Sequence, residues 1–174
     1  DLLAFLTDEK GRVTGAAIGT LALEKLQWHE LIQVRLAAAL ICLFLLLTGV
    51  IGWPAAALIR RLRSMKPLES TAPLSRWFAG VTAALAILDI TAVVVTLGQP
   101  LIYGAPPILR LLTLIPYVIA ALTLGTLLLA VQSWLKGYWG ILTRIHFSLV
   151  ALGLVGLVWL MRIYNLFGSG QLNI

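Results

Sequence analysis

Residues 36–59 read LAAALICLFLLLTGVIGWPAAALI and are followed at once by RRLR at 60–63. This stretch of 24 residues contains no charged side chain. A helix rises about 1.5 Å per residue, so this length crosses the hydrocarbon core of a bilayer, which is about 30 Å thick. We therefore predict a membrane-spanning helix. Short loops rich in Lys and Arg stay in the cytoplasm, so the basic end of this helix is predicted to lie inside.

The composition of the whole chain agrees with a membrane protein. Of its 174 residues, 60% are hydrophobic and 11% are charged, and the mean hydropathy is +0.99. Soluble domains are nearer 45–50% apolar, roughly. The pI of about 10 is also typical of nucleic-acid-binding proteins, but five of the thirteen basic residues lie between Arg60 and Arg76, where membrane topology accounts for them. We therefore predict no nucleic-acid partner.

Hydropathy and loop charge together predict four spans, at about 34–59, 77–98, 109–135 and 145–167. Both ends of the chain are then outside, and residues 31–174 form an all-α membrane domain, a four-transmembrane-helix bundle. The residues predicted to set this topology are the basic ones of the two inner loops: Arg60, Arg61, Arg63, Lys66, Arg76, Lys136 and Arg144. Small residues spaced four apart, Gly80 with Ala84 and Ala121 with Gly125, predict places where helices approach closely.

Residues 1–30 have a different pattern. Two short apolar runs flank turn chemistry that includes Gly11, which predicts a short extracytoplasmic β-hairpin, and the leucines of 21–26 could add a third strand. Two or three short strands rarely fold alone in water. The chain also begins with Asp1 and shows no signal peptide. We therefore expect residues 1–30 to be the end of an extracytoplasmic β-domain, in the C-terminal part of a longer protein.

Asp89 lies near the middle of the second span, where a carboxylate is costly and is by default a functional candidate. Tyr117 lies at a similar depth, and Arg162 is long enough to lean inward. These three residues are predicted to form an intramembrane polar cluster. It could be a proton or ion relay, or a buried contact that fixes helix register. The structural alternative is favoured because the spans contain no second acid.

No catalytic residue, metal site or cofactor site is predicted within these 174 residues. His29 and His146 are the only histidines, and the topology separates them by about 20 Å or more of hydrocarbon, which argues against a shared haem or metal. Ser133 and Lys136 match the S-x-x-K pattern of penicillin-recognising enzymes, but no second motif completes the site. The single cysteine, Cys42, has no internal disulfide partner.

Several segments resemble a known class. The first is the hairpin Phe-x-x-Asp-x-x-Gly-x-Val at residues 5–13, which is similar to one in the small β-domain that follows the catalytic domain of bacterial serine hydrolases of the β-lactamase and penicillin-binding class. In some of those proteins a four-span membrane region follows. The remaining likeness lies in Trp53-Pro54 with RRLR at 60–63, GYW at 137–139, RIHFSLV at 144–150 and YNLFG at 164–168.

This resemblance implies an upstream serine hydrolase domain of the S-x-x-K type in the same chain, with the present residues as its C-terminal, non-catalytic membrane anchor. It also implies a bacterial inner membrane. Two alternatives stay open: a groove that presents substrate to the hydrolase through Asp89, Tyr117 and Arg162, and a small ion-coupled transporter or channel component. The expected partners are the lipid bilayer and the upstream domain.

Overall fold

A computed structural model describes residues 3–7, 11, 13–18, 21–24, 27–28, 31–63, 72–97 and 112–167. The contacts within the chain divide it into two compact units, Asp1–Ala37 and Ala38–Ile174. The first unit holds a small β-sheet, and the second holds a bundle of long helices.

Within its described residues, the first unit contains a three-stranded antiparallel sheet. Its strands are β1 (Leu3–Thr7), β2 (Val13–Ile18) and β3 (Leu21–Glu24), paired in that order. Gly11, between the first two strands, has a φ of 72°, a left-handed conformation that glycine adopts without strain. The predicted hairpin is confirmed by the pairing of β1 with β2, and the predicted third strand forms as β3.

One face of this sheet carries an apolar row. Phe5 pairs with Ala16, and Ala16 pairs with Leu23 on the next strand. Residues directly opposite each other in neighbouring strands share a face, so these three side chains lie side by side. Phe5 is 63% exposed and Leu23 is 52% exposed. The sheet therefore has an uncovered apolar surface, which we call the Phe5–Leu23 row.

Four helices are described, and all four are long and apolar enough to cross a membrane, which confirms the predicted four-helix membrane fold. They are α1 (Ile32–Leu62), α2 (Ala72–Leu97), α3 (Ile115–Lys136) and α4 (Ile141–Ile163). At ~1.5 Å per residue, α1 is about 46 Å long, so it must tilt or extend beyond a hydrocarbon core of about 30 Å.

The observed helix bounds differ from the predicted ones by a few residues, and local chemistry explains two of the differences. The third span was predicted to begin at residue 109, but residues 113 and 114 form a turn and α3 begins at Ile115. Pro116 therefore lies in the first turn of the helix, where a backbone N–H would have no helical partner in any case. Gly137, with a φ of 66°, ends α3. The connection that follows is short, since Gly140 is already the N-cap of α4, so α4 begins at Ile141 rather than at 145.

The end of α4 is also earlier than predicted, at Ile163 rather than 167. Asn165 has a φ of 54°, and its N–H donates to the Arg162 carbonyl at 3.1 Å. The Leu166 N–H donates to the Met161 carbonyl at 2.9 Å. These two bonds form a Schellman motif, in which asparagine takes the left-handed position that glycine usually fills. The motif satisfies two carbonyl groups at the helix end.

The core of the bundle is built around α4, which packs on the other three helices. Its buried residues Val150, Leu154 and Leu157 belong to one cluster with Leu46 of α1, and with Ala83 and Ala86 of α2 and Ile119 of α3. A second cluster joins Phe147 and Ala151 of α4 to Ala79, Ala130 and Trp139. α4 also has a larger buried share than any of the other three described helices, as its central position requires.

Glycines set the distance between α1 and α4. A Cβ atom placed on Gly153 would lie 3.2 Å from the Leu45 Cβ atom, and one placed on Gly156 would lie 2.7 Å from the Cys42 Sγ atom. Small residues at a helix interface let two backbones approach closely in lipid. Of the pairs predicted for this purpose, Gly125 does face Phe78 of α2, since a Cβ atom placed on Gly125 would lie 3.0 Å from the Phe78 ring, whereas Ala121 is exposed.

Candidate functional site

Asp89 belongs to the buried stripe of α2. Ala79, Thr82, Ala86 and Asp89 follow each other at helical spacing and are all buried, so Asp89 points into the bundle as predicted. The residue is only 2% exposed. Neither of its carboxylate oxygens has a hydrogen-bond partner within the described part of the chain. A buried carboxyl group without a partner is unfavourable, so this residue is either neutral or paired with something that the described residues do not supply.

The structure does not bring Asp89, Tyr117 and Arg162 together. Tyr117 is 51% exposed, and its hydroxyl donates to the Phe167 carbonyl at 2.9 Å, while its ring meets the Phe167 ring edge-on. Arg162 is exposed. The predicted contact rested on depth in the membrane alone. Because each residue turns the helix by about 100°, residues at one depth can still face in different directions.

We expect removal of the unpaired carboxyl group to stabilise the bundle. Asp89→Val removes both oxygens and leaves an apolar side chain, so it should raise the free energy of unfolding in detergent micelles by about 1–3 kcal/mol, since no buried acceptor is then left unsatisfied. Thr82→Val is the matched control, because Thr82 lies on the same stripe and its hydroxyl donates to the Phe78 carbonyl at 2.9 Å. A loss of stability in Asp89→Val would mean that the membrane-embedded protein supplies Asp89 with a partner.

His146 forms a second polar centre, between α1 and α4. The Thr48 hydroxyl donates to the Leu45 carbonyl at 2.7 Å and lies 3.0 Å from His146 Nε2, and the Trp53 indole N–H donates to His146 Nδ1 at 3.3 Å. Since the Thr48 proton is already used, Nε2 carries a proton and donates it, while Nδ1 accepts. His146 is therefore a neutral imidazole with both nitrogens engaged, and it has no lone pair left for a metal.

This histidine network was not predicted, because only the depth of His146 in the membrane can be read from the sequence. A threonine, a tryptophan and a histidine toward one end of otherwise apolar helices are a signal of interhelical hydrogen bonding. His29 lies outside the described residues. Among the described residues, no group of three or more His, Cys, Asp or Glu side chains could hold a metal ion.

The S-x-x-K match has a structural explanation. Ser133 is buried in α3, and its hydroxyl donates to the Ala130 carbonyl of the same helix at 2.7 Å. The Lys136 ammonium group lies 5.8 Å from the centre of the Tyr138 ring. Ser133 is thus bonded to its own helix, as serines in apolar helices commonly are.

The basic residues gather at one end of the bundle. This end, called the basic end below, carries six basic residues in or directly beside the last turns of α1 and α3 and the first two turns of α2 and α4: Arg60, Arg61, Arg63, Arg76, Lys136 and Arg144. Lys66, which was predicted with them, lies outside the described residues.

Aromatic rings support the basic end. Trp53 stacks on Phe147 with ring centres 5.7 Å apart, and Phe147 meets Trp139 at 5.2 Å. The Arg76 guanidinium carbon lies 4.9 Å from the centre of the Trp139 ring, and that of Arg144 lies 5.8 Å from the Trp134 ring. These are cation–π contacts, which hold a cation beside an apolar surface. The basic end is thus a packed structure in addition to a set of loop charges.

The four described helices, each long and apolar enough to cross a bilayer, make this a multi-pass membrane protein. A small β-sheet precedes them in sequence. Comparison of the chain with known protein families, curated proteins and solved structures finds no match.

Proposed function

We propose that this chain is the membrane anchor of an extracytoplasmic serine hydrolase of the β-lactamase and penicillin-binding class. The observation that carries the proposal is the Phe5–Leu23 row, an uncovered apolar face on a three-stranded sheet that directly precedes four apolar helices. The hairpin of that sheet is also the segment that resembles the small β-domain of such hydrolases.

The sheet supports the proposal because it is too small to be a domain by itself. A sheet of three short strands gains stability when its hydrophobic face is buried against another structure. An exposed row of large apolar side chains indicates such a contact. A hydrolase domain earlier in the same chain supplies the partner that the resemblance implies, and the sheet then links that domain to the membrane.

The bundle supports the anchoring role through its lipid-facing surface. Large apolar side chains are exposed along all four helices, among them Leu40, Phe44, Leu88, Leu128 and Leu152. Each buried CH₂ group contributes about 0.8 kcal/mol to insertion, so even one such helix is held irreversibly in practice. The protein's own contacts keep the four helices together as one body.

The hydrolase part of the proposal is tested on the protein as cells make it. An antibody against residues 31–174 should precipitate, from cells that make the protein, a chain that reacts covalently with a fluorescent penicillin or a fluorophosphonate. We expect label on a polypeptide larger than 18.9 kDa. A precipitated chain that takes up neither probe would reject the hydrolase part of the proposal while leaving the membrane bundle in place.

The predicted sides of the membrane are tested separately by cysteine labelling. In a Cys42→Ser background, Val13→Cys should react with a membrane-impermeant maleimide in intact cells, whereas Arg61→Cys should react only after the membrane is opened. Both positions are exposed, so a difference in labelling reports the side. The reversed pattern would place the sheet in the cytoplasm and remove the basis for an extracytoplasmic enzyme.

A small ion-coupled transporter is the second candidate, and Asp89 favours it. An unpaired carboxyl group buried in the middle of a membrane helix can carry a proton or bind a cation. Proteoliposomes with a pH-sensitive dye inside would show proton flux through the wild type and none through Asp89→Asn. Equal proton flux through the wild type and Asp89→Asn would reject the transporter. The groove alternative has no such support, since Asp89 is buried while Tyr117 and Arg162 are exposed and do not line one surface with it.

A further inference from the structure

The basic end has no internal counter-charge in the part of the chain that the structure describes. Asp89 is the one acidic residue in 31–63, 72–97 and 112–167, and it lies near the middle of α2. Six cations therefore share the basic end without a described carboxylate. Arg60 and Arg76 are near enough for their charges to repel, and the charge of Arg76 also acts on His146. Like charges held together in this way are stabilised by an external anion.

The unpaired polar atoms at this end are all hydrogen-bond donors. Among the described residues, Arg76 Nε, Arg144 Nε and the Trp139 indole N–H are buried and lack a partner. Trp139 itself is only 7% exposed. Buried donors are normally paired, so three such groups at one end of the bundle show that the described residues supply too few acceptors there. Arg76 is half-buried, and its guanidinium group can therefore meet a ligand at its outer edge.

We propose that the basic end binds the phosphate group of an anionic phospholipid, with Arg76 and Arg60 as the principal contacts and Trp139 as the wall behind them. A guanidinium group matches a phosphate with two parallel hydrogen bonds. The apolar side chains Leu58, Leu74 and Trp77 are exposed close to these arginines in sequence, and they provide the surface along which acyl chains can lie. A lipid contacts both the accessible edge of the Arg76 guanidinium group and this apolar border, whereas a free anion contacts only the guanidinium group.

Topology alone does not explain this arrangement. Retention of basic loops in the cytoplasm requires only that the charges be present, on side chains that extend into water. Here the Arg76 guanidinium is held over a buried Trp139 ring, with its Nε shielded from solvent. Basic pockets between transmembrane helices are suited to lipid headgroups. The inference rests on the bundle alone and does not depend on the upstream hydrolase.

Native mass spectrometry of the purified chain in an equal mixture of phosphatidylglycerol and phosphatidylcholine tests the proposal. The wild type should retain more phosphatidylglycerol than phosphatidylcholine. Arg76→Gln and Arg60→Gln should each lower this preference roughly fivefold, the effect of one cation near an anionic surface. Arg76→Lys keeps the charge but loses the planar guanidinium group, so its preference for phosphatidylglycerol should lie between those of the wild type and Arg76→Gln. Arg162→Gln is the matched control, since it removes the same charge from the opposite end of α4 and should leave the preference unchanged.

The other outcomes separate the possible sources of the anion. If Arg162→Gln lowers the preference as much as Arg76→Gln, the attraction is diffuse and the proposed site is rejected. If inorganic phosphate added in phosphatidylcholine raises the unfolding temperature as much as phosphatidylglycerol does, the ligand is a free anion and not a lipid. Equal retention of the two lipids by the folded wild type would reject the lipid site. The acceptor would then come from the chain itself, and Glu69, which lies outside the described residues, is the acidic residue nearest to Arg76 in sequence. Circular dichroism confirms folding of each variant.

Discussion

Replacing Gly156 with leucine is expected to separate α1 from α4 and to cause the largest loss of stability of any single change considered for this bundle. Even a methyl group at this position would lie 2.7 Å from the Cys42 Sγ atom. Overpacking by a small group costs about 1–3 kcal/mol, which sets the expectation for Gly156→Ala, and leucine adds three further carbons at the same contact. The free energy of unfolding in detergent micelles, followed by circular dichroism, measures both variants.

Gly52 provides the control for this prediction. A Cβ atom at Gly52 meets nothing within 4 Å, so Gly52→Leu should leave stability unchanged or raise it slightly through better helix propensity. Cys42→Ala removes the sulfur atom that the new side chain would strike. In that background the penalty of Gly156→Ala should largely disappear, as a double-mutant cycle would show. An equal penalty in both backgrounds would mean that Gly156 is needed for some reason other than the close contact with Cys42.

Replacing Trp53 with alanine is expected to cost about 3 kcal/mol, the lower end of the range for removing a large aromatic side chain from a core, because Trp53 is partly buried. Trp53 packs against both buried clusters of the bundle. Its ring stacks on Phe147 and meets His146 edge-on, and it lies 3.7 Å from where a Cβ atom on Gly80 of α2 would be. Its loss should therefore loosen α1, α2 and α4 together, which unfolding in micelles would measure.

Two further variants separate packing from hydrogen bonding at Trp53. Trp53→Phe keeps a ring beside Phe147 but leaves His146 Nδ1 without a donor, so it should cost only about 1 kcal/mol. Trp77→Ala is the control, because Trp77 is 65% exposed and faces away from the core. A loss at Trp77 as large as that at Trp53 would contradict the view that Trp53 is a central packing residue.

The sequence predicted the architecture because the signals for it are local. Long uncharged runs predict spans, and Gly11 between two apolar runs predicts a hairpin; the structure confirms both. The bounds of α3 and α4 were less accurate, since Pro116, Gly137 and Asn165 decide where these helices start and end, and their backbone conformations depend on the assembled chain.

Contacts between helices were harder to predict. Asp89 was placed correctly inside the bundle, but its expected partners Tyr117 and Arg162 are exposed. The bonds of His146 to Thr48 and Trp53 join residues that are more than ninety positions apart. Depth in the membrane can be counted along a sequence, whereas the rotation of each helix about its axis is fixed only when residues such as Cys42 and Gly156 meet across an interface.

The central position of α4 has a consequence for biosynthesis. A ribosome delivers α1, α2 and α3 to the insertion machinery first, and the helix that joins them in both clusters emerges last of the four. Until residue 163 has been made, the three earlier helices lack their common contact surface, so the bundle assembles only after its synthesis is nearly finished. A chain that stops before residue 141 would keep the contact of Phe78 with Gly125 between α2 and α3, but α1 would lack the surface that Gly153 and Gly156 provide. Such a product is a ready substrate for membrane proteases.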